Sequence, residues 1–207
     1  VNSYSGVAIR SPYVGILVDP VDIDTDKISN IDAILITHDH IHHLDESIVS
    51  DIQSNSGCKV IADSASFGRL SAVIPSNKLE EAHIKDEFQL KDASVVAEKS
   101  SHTAAEPLTY VITSEDGVSV FHSSDSAPFN EMADIGRRYE IDICLCSIGL
   151  DSGLSPKSGA MIARLIRPKV AVPYHGEKVK EFASALSKIA PQVKSRLLRK
   201  GESLKYP

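Results

Sequence analysis

Short apolar runs recur along the chain in matched order. Ile31-Asp32-Ala33-Ile34-Leu35-Ile36 returns as Ile141-Asp142-Ile143-Cys144-Leu145-Cys146, and Lys59-Val60 returns as Lys169-Val170 at the same offset. Within each pair lies helical spacing: Leu44, Ile48, Val49 and Ile52 in the first, Ala160 to Ile166 in the second, where Ser155-Pro156 supplies an N-cap and a first-turn proline. Each half therefore predicts strand, loop, helix, strand. Ahead of each unit stands a hairpin-like pair ending in an aspartate: Val7 to Ile9 with Val14 to Asp19, and Leu108 to Thr113 with Val118 to Asp125 across Glu115-Asp116-Gly117. Lys78 to Ser101 alternates apolar and polar residues as strands do. A helix bearing Val179, Phe182, Ala183 and Leu186 follows later, then a strand near Val193 to Leu198. Two such modules stack sheet on sheet with helices outside. The expected fold is a four-layer α/β sandwich, αββα, of two similar halves, with strand ends from both meeting at one cleft.

Composition narrows the class. The 207 residues, 42% hydrophobic and 24% charged, suit one domain spanning 1–207. The longest apolar stretches, Ala33 to Ile36 and Ile143 to Cys146, fall far short of the roughly 20 residues that cross a bilayer, so no membrane span is expected. Val1 to Arg10 has neither a basic start with an apolar block nor a small-residue cleavage site. Cys58, Cys144 and Cys146 form no Cys-x-x-Cys pair or disulfide framework, which points to buried thiols in a reducing, cytoplasmic setting. A net charge of −6 lacks the basic surplus of a phosphate-backbone binder, and nucleic acid is a disfavoured partner. The basic residues Lys194, Arg196, Arg199, Lys200 and Lys205 are expected to be solvated. A homo-oligomer is compatible with all of this.

The chemistry concentrates in Thr37-His38-Asp39-His40-Ile41-His42-His43-Leu44-Asp45, where half of the eight histidines follow a buried-looking strand. Continued strand alternation sends His38, His40 and His42 to one side, and a turn into the helix brings His43 round to join them. Imidazoles so gathered suit zinc and its neighbours. A tag-like solvated loop is the competing reading, disfavoured by the position between a core strand and an amphipathic helix. Further polar landmarks stand at strand ends: His102 after Ser94 to Ser101, Asp125 after Val118 to His122, and His175 after Val170 to Tyr174.

Taken together these residues resemble the metallo-β-lactamase superfamily, whose hallmark is His-x-His-x-Asp-His followed by a later His, an Asp and a final His. The resemblance covers nearly the whole chain. Phe121 to Ser126, Ile141 to Gly149 and Pro173-Tyr174-His175 are similar to the lactonase-like branch that contains ascorbate-6-phosphate lactonase and many metal-dependent hydrolases. The resemblance implies a first metal site of His38, His40 and His102, a second of His43 and His175, and Asp125 bridging both. His42 stands where the family has Asp. It is carried over as a second-site ligand and catalytic group, able to ligate as a neutral imidazole or to relay a proton, but the change removes a negative charge beside the ions. Asp39 and Asp45 fit orientation or helix capping, and His122 fits an outer position.

The implied activity is hydrolysis of a small ester, lactone or phosphodiester, with room for an anionic substrate, by a metal-activated hydroxide, with His42 and Asp125 as catalytic residues and one or two Zn²⁺ (alternatively Mn²⁺ or Fe²⁺) as cofactor. No Gly-x-Ser-x-Gly elbow supports a serine nucleophile at Ser123, Ser124 or Ser126, and Gly149, Gly153 and Gly159 do not form a phosphate loop. Two alternatives stand beside this: a nuclease or phosphodiesterase, and a metal-binding protein weakened as a catalyst by His42.

Overall fold

Alternating burial decides where each strand faces. In the computed structural model, which describes residues 4–149 and 153–207, a five-stranded sheet comprises β1 (Val7–Arg10), β2 (Gly15–Val18), β3 (Ala33–Ile36), β4 (Lys59–Ala62) and β5 (Leu79–Glu81) in that spatial order. A seven-stranded sheet runs β12 (Lys194–Ser195), β11 (Val170–Tyr174), β10 (Ile143–Ser147), β9 (Ser119–His122), β8 (Leu108–Thr113), β7 (Ala93–Lys99), β6 (Glu87–Leu90). Leu17, Ile34, Ile36, Val60 and Ala62 pack outward against α1 (Glu46–Ser56) and α2 (Ser64–Leu70). Their neighbours Ile16, Val18, Ala33, Leu35 and Ile61 face inward and meet Val95, Ala97, Leu108, Tyr110 and Ile112 of the other sheet. On that second sheet Phe121, Cys144, Cys146 and Ala171 meet the outer helices α3 (Met132–Tyr139), α4 (Pro156–Ile166) and α5 (Val179–Ile189). The result is the expected αββα order. Among the described residues no helix is long and apolar enough to cross a membrane.

The duplication holds at the level of strand pairing. The order β1 to β5 is matched by β8 to β12, each being one antiparallel pair followed by parallel ones, and β6 and β7 extend the second sheet beyond β8. The repeated aspartates do the same work twice. Asp32 accepts from Gly15 N at 2.9 Å and pairs with Lys91, while Asp142 accepts from Ser119 N at 2.9 Å and pairs with Lys169. Gly15 is required there, since a Cβ would sit 2.1 Å from the Asn30 carbonyl oxygen.

Helix ends follow their sequence signals. Asp45 caps α1 by accepting from Ile48 N, and the helix stops at left-handed Gly57. Ser155 and Ser158 form a capping box on α4 ahead of Pro156. Two expectations are adjusted. The alternating segment 78–101 divides between the sheets, β5 joining the first and β6 and β7 the second. The late strand near 193–198 shrinks to β12, because beyond it the chain turns to solvent, with Leu197 exposed. Of the segment Val1 to Arg10 read for a leader, residues 1–3 lie outside the described residues.

Candidate metal centre

The site assembles where strands end. The loop Thr37 to Asp45 leaves the carboxyl end of β3, His102 follows β7, Asp125 follows β9 and His175 follows β11. Thr37 anchors the loop: its N–H and its hydroxyl both donate to the Asp19 carboxylate at 2.8 Å. The strand alternation then stops at His40. His43 N and Leu44 N both donate to His40 O, at 2.8 and 2.9 Å, and this turn rotates His42 away from its neighbours.

Two groups of donor atoms result, each drawn together within 4.8 Å: His38, His40 and His102, and His38, His43 and Asp125. His175 stacks on His43 with ring centroids 4.8 Å apart, and its Nε2 lies 3.8 Å from Asp125 Oδ2. His38 thus belongs to both groups, whereas the resemblance had assigned the shared position to Asp125. His42 lies in neither. Its ring stacks on Tyr4 at 5.2 Å and stands edge-on to His175 at 6.2 Å.

The outward atoms of these side chains are tied to protein, which fixes the inward ones. His43 Nδ1 donates to Asp19 at 2.7 Å, His38 Nδ1 lies 3.0 Å from the Thr37 hydroxyl, and Asp125 Oδ1 accepts from Ser147 Oγ at 3.0 Å. What remains is His38 Nε2 and both nitrogens of His175, buried and without a hydrogen-bond partner among the described residues, together with His43 Nε2 and Asp125 Oδ2, which face each other at 3.1 Å. Leaving a buried polar atom unsatisfied costs about 1–3 kcal/mol. So many at one place fit a divalent cation with nitrogen and oxygen ligands.

The electrostatics agree. Burial opposes a charge on His43, but Asp19 and Asp125 outweigh it and raise its pKa to about 9. Burial, reinforced by charge on His43, presses His38 far below the ordinary histidine range. Burial lowers His175 to about 4. Asp125 is held well below the usual carboxylate range despite its burial, because His43, His175 and His38 surround it. The pair of carboxylates about His43 draws positive charge into the centre, and a proton there competes with a metal ion.

Several supporting residues carried no motif. Asp19, Ser124 and His175 adopt left-handed φ of 47°, 50° and 54°, a conformation that Asp and His tolerate better than most. Three such positions beside one cluster mark a backbone shaped around it. Strand register aligns Asp19 with Ser123 rather than with Asp125: Asp19 N donates to Leu35 O and Ser123 N to Leu145 O. Ser123 Oγ accepts from Ser147 N as Asp19 accepts from Thr37 N. Asp125 therefore lies two residues past the equivalent of Asp19. A signal for Asp19 was present, a charged residue closing the apolar run Gly15-Ile16-Leu17-Val18. His122 is fully buried behind the site, its Nδ1 accepting from Ser124 N and its pKa lowered by burial to about 4.

Comparison with known proteins gives the same picture. The family described as the beta-lactamase superfamily domain matches residues 6–176. A UPF0173 metal-dependent hydrolase of Caldivirga maquilingensis is 27% identical over 209 residues, covering 93% of this chain and 90% of the relative. Igni18, a metallo hydrolase from Ignicoccus hospitalis, superposes with a TM-score of 0.84 at 22% identity over 99% of this chain and 95% of its own. The metallo-beta-lactamase fold protein YhfI from Bacillus subtilis does so with a TM-score of 0.77 at 12% identity, over 96% and 90%. At such identities the two structures speak for the fold.

Proposed function

The chain belongs to the beta-lactamase superfamily and is a metal-dependent hydrolase, and from that premise we propose that it cleaves a small ester, lactone or phosphodiester metabolite at one or two divalent ions, zinc first. His38, His40 and His102 would hold one ion, His43 and His175 the other, with Asp125 between them. The observation that carries this reading is the convergence of buried imidazole and carboxylate atoms at one place, with His38 Nε2 and both nitrogens of His175 lacking a hydrogen-bond partner among the described residues. A bound divalent ion supplies Lewis acidity and acidifies water. The protein's own part is positioning. Asp19 holds the tautomer of His43, and Ser147 turns Asp125 so that Oδ2 faces the centre as a hydrogen-bond acceptor, 3.1 Å from His43 Nε2. His42, beside His175, is the proposed proton-handling group.

A nucleic-acid substrate is disfavoured by the net charge of −6, and the basic terminal residues Lys200 and Arg199 are engaged with Asp22 and Glu202. Three buried thiols outside any disulfide support a cytoplasmic setting. The test is elemental analysis of protein purified without chelator, followed by hydrolysis of an ester, lactone and phosphodiester panel. We expect bound metal, turnover of one class, and loss of both in His38→Ala. Bound metal with no turnover would favour a metal-binding role, and protein that takes up no metal overturns the proposal.

A further inference from the structure

Two openings flank the centre, and they differ in chemistry. A small recess of about 260 Å³ is lined by His102 and Asp125 themselves, together with Ser101, Thr103, Ala127 and Leu154. A cleft of about 950 Å³ opens past His42. Its wall toward the centre is the stacked pair Tyr4 and His42, held down by the Ser5 hydroxyl donating to the His42 carbonyl. Its remaining surface is largely aliphatic: Val21, Ile23, Ile28, Ile41 and Ile48. Ile41 is 78% exposed, at the mouth of the cleft and inside the histidine loop. A single exposed isoleucine is ordinary, but one continuous with four other apolar side chains forms a contact surface.

We propose that this larger cleft receives the non-reacting part of the substrate, and that this part is uncharged and apolar, such as an acyl chain. The inference rests on the hydrolase reading above and sharpens it, since the sequence alone had left room for an anionic metabolite. Continuity supplies one argument: the His42 ring lines the cleft and lies 6.2 Å from that of His175, so a group lodged there is tethered beside the proposed centre. Charge supplies the other. Asp22, Asp24 and Asp45 are the acids of the lining; Lys200, its cation, is paired with Asp22 at 3.3 Å, and Asp45 is committed to the N-cap of α1. An anion entering would meet net negative charge, while aliphatic walls reward buried methylenes. The small recess, lined by the proposed ligands, then faces the reacting bond.

The test uses the metal-loaded protein and two fluorescent probes with the same ring system, neutral N-phenyl-1-naphthylamine and anionic 8-anilinonaphthalene-1-sulfonate. We expect the neutral probe to bind about tenfold more tightly, a difference readily resolved by titration. Ile41→Asp, at an exposed position that folding does not need, should weaken the neutral probe, and Asp22→Asn with Asp24→Asn should narrow the discrimination. In parallel, KM for neutral 4-nitrophenyl esters from acetate to octanoate should fall by about fourfold per buried methylene. Equal affinity for both probes, or neutral-probe binding indifferent to Ile41→Asp, overturns the proposal. The two readings fail separately. Probe binding without hydrolysis of any ester, lactone or phosphodiester keeps the apolar cleft and removes the hydrolase reading; hydrolysis with KM independent of chain length and no probe binding does the reverse.

Discussion

Asp19 Oδ2 lies 2.7 Å from His43 Nδ1, and the same carboxylate is fixed from behind by two bonds from Thr37. Both partners are buried, so the contact sets the tautomer of His43 and aims Nε2 inward. Asp19→Ala is expected to weaken metal binding by about 10- to 100-fold, the usual cost of losing such an outer partner. It should also destabilise the fold, because Thr37 N loses its acceptor. Metal titration and urea unfolding read the two effects. Unchanged metal affinity would make Asp19 a purely structural residue.

Removing metal should lower stability as well as activity. The unsatisfied inward atoms lie in the folded state alone, so an ion that satisfies them stabilises by about 2.7 kcal/mol when present at a hundred times its Kd. Thermal melts with and without chelator should differ, and re-addition of Zn²⁺ should restore the higher Tm.

His42→Asp tests the departure from the family pattern. The substitution returns a negative charge next to His43 and His175, which should tighten the second ion and raise metal stoichiometry. If stoichiometry, metal preference and pH–rate profile all stay the same, the His42 side chain belongs to the cleft wall with Tyr4 alone.

Acid should destabilise the metal-free protein over a defined window. His122 and His175 have folded pKa values lowered by burial to about 4, against 6.5 for an unburied histidine. Between those values the unfolded chain takes up protons that the folded chain refuses. Whereas the contribution of His43, raised to about 9, is lost as pH climbs from 6.5 toward 9, that of these two histidines is therefore full above about pH 6.5 and falls progressively toward pH 4. Urea midpoints measured across that interval should drop, and His122→Leu should flatten part of the slope.

Away from the centre, Glu98 is buried on β7 with Lys85, Arg138 and the Tyr139 hydroxyl around its carboxylate. The two cations are half-exposed and can return to water, but the carboxylate cannot. The double variant Lys85→Ala/Arg138→Ala should therefore cost more, about 3–5 kcal/mol, than Glu98→Met. Equal losses in denaturant unfolding would contradict this ordering.

Much of this architecture was legible in the chain because it is periodic. The matched runs 31–36 and 141–146 became β3 and β10, each carrying the strand-bridging aspartate Asp32 or Asp142. The strand-end positions of His102, Asp125 and His175 were likewise readable, since β7, β9 and β11 run in the same direction and deliver their following loops to one edge of the sheet. What escaped was set by hydrogen bonds with no periodicity. The turn on His40 O redirects His42, and register, not spacing, decides that Ser123 rather than Asp125 is the counterpart of Asp19. Tyr4 could not be placed from sequence, because its partner His42 is far along the chain.

The proposed ligands are shared between the two duplicated units. His38, His40 and His43 come from the first, while His102, Asp125 and His175 come from the second sheet. An ion gripped by both is a mechanical clasp across the seam, so pulling the units apart and releasing the ion become one event. A chain severed between β5 and β6 would then reassemble from its two fragments more readily with the ion than without it, with the ion itself reporting the reunion.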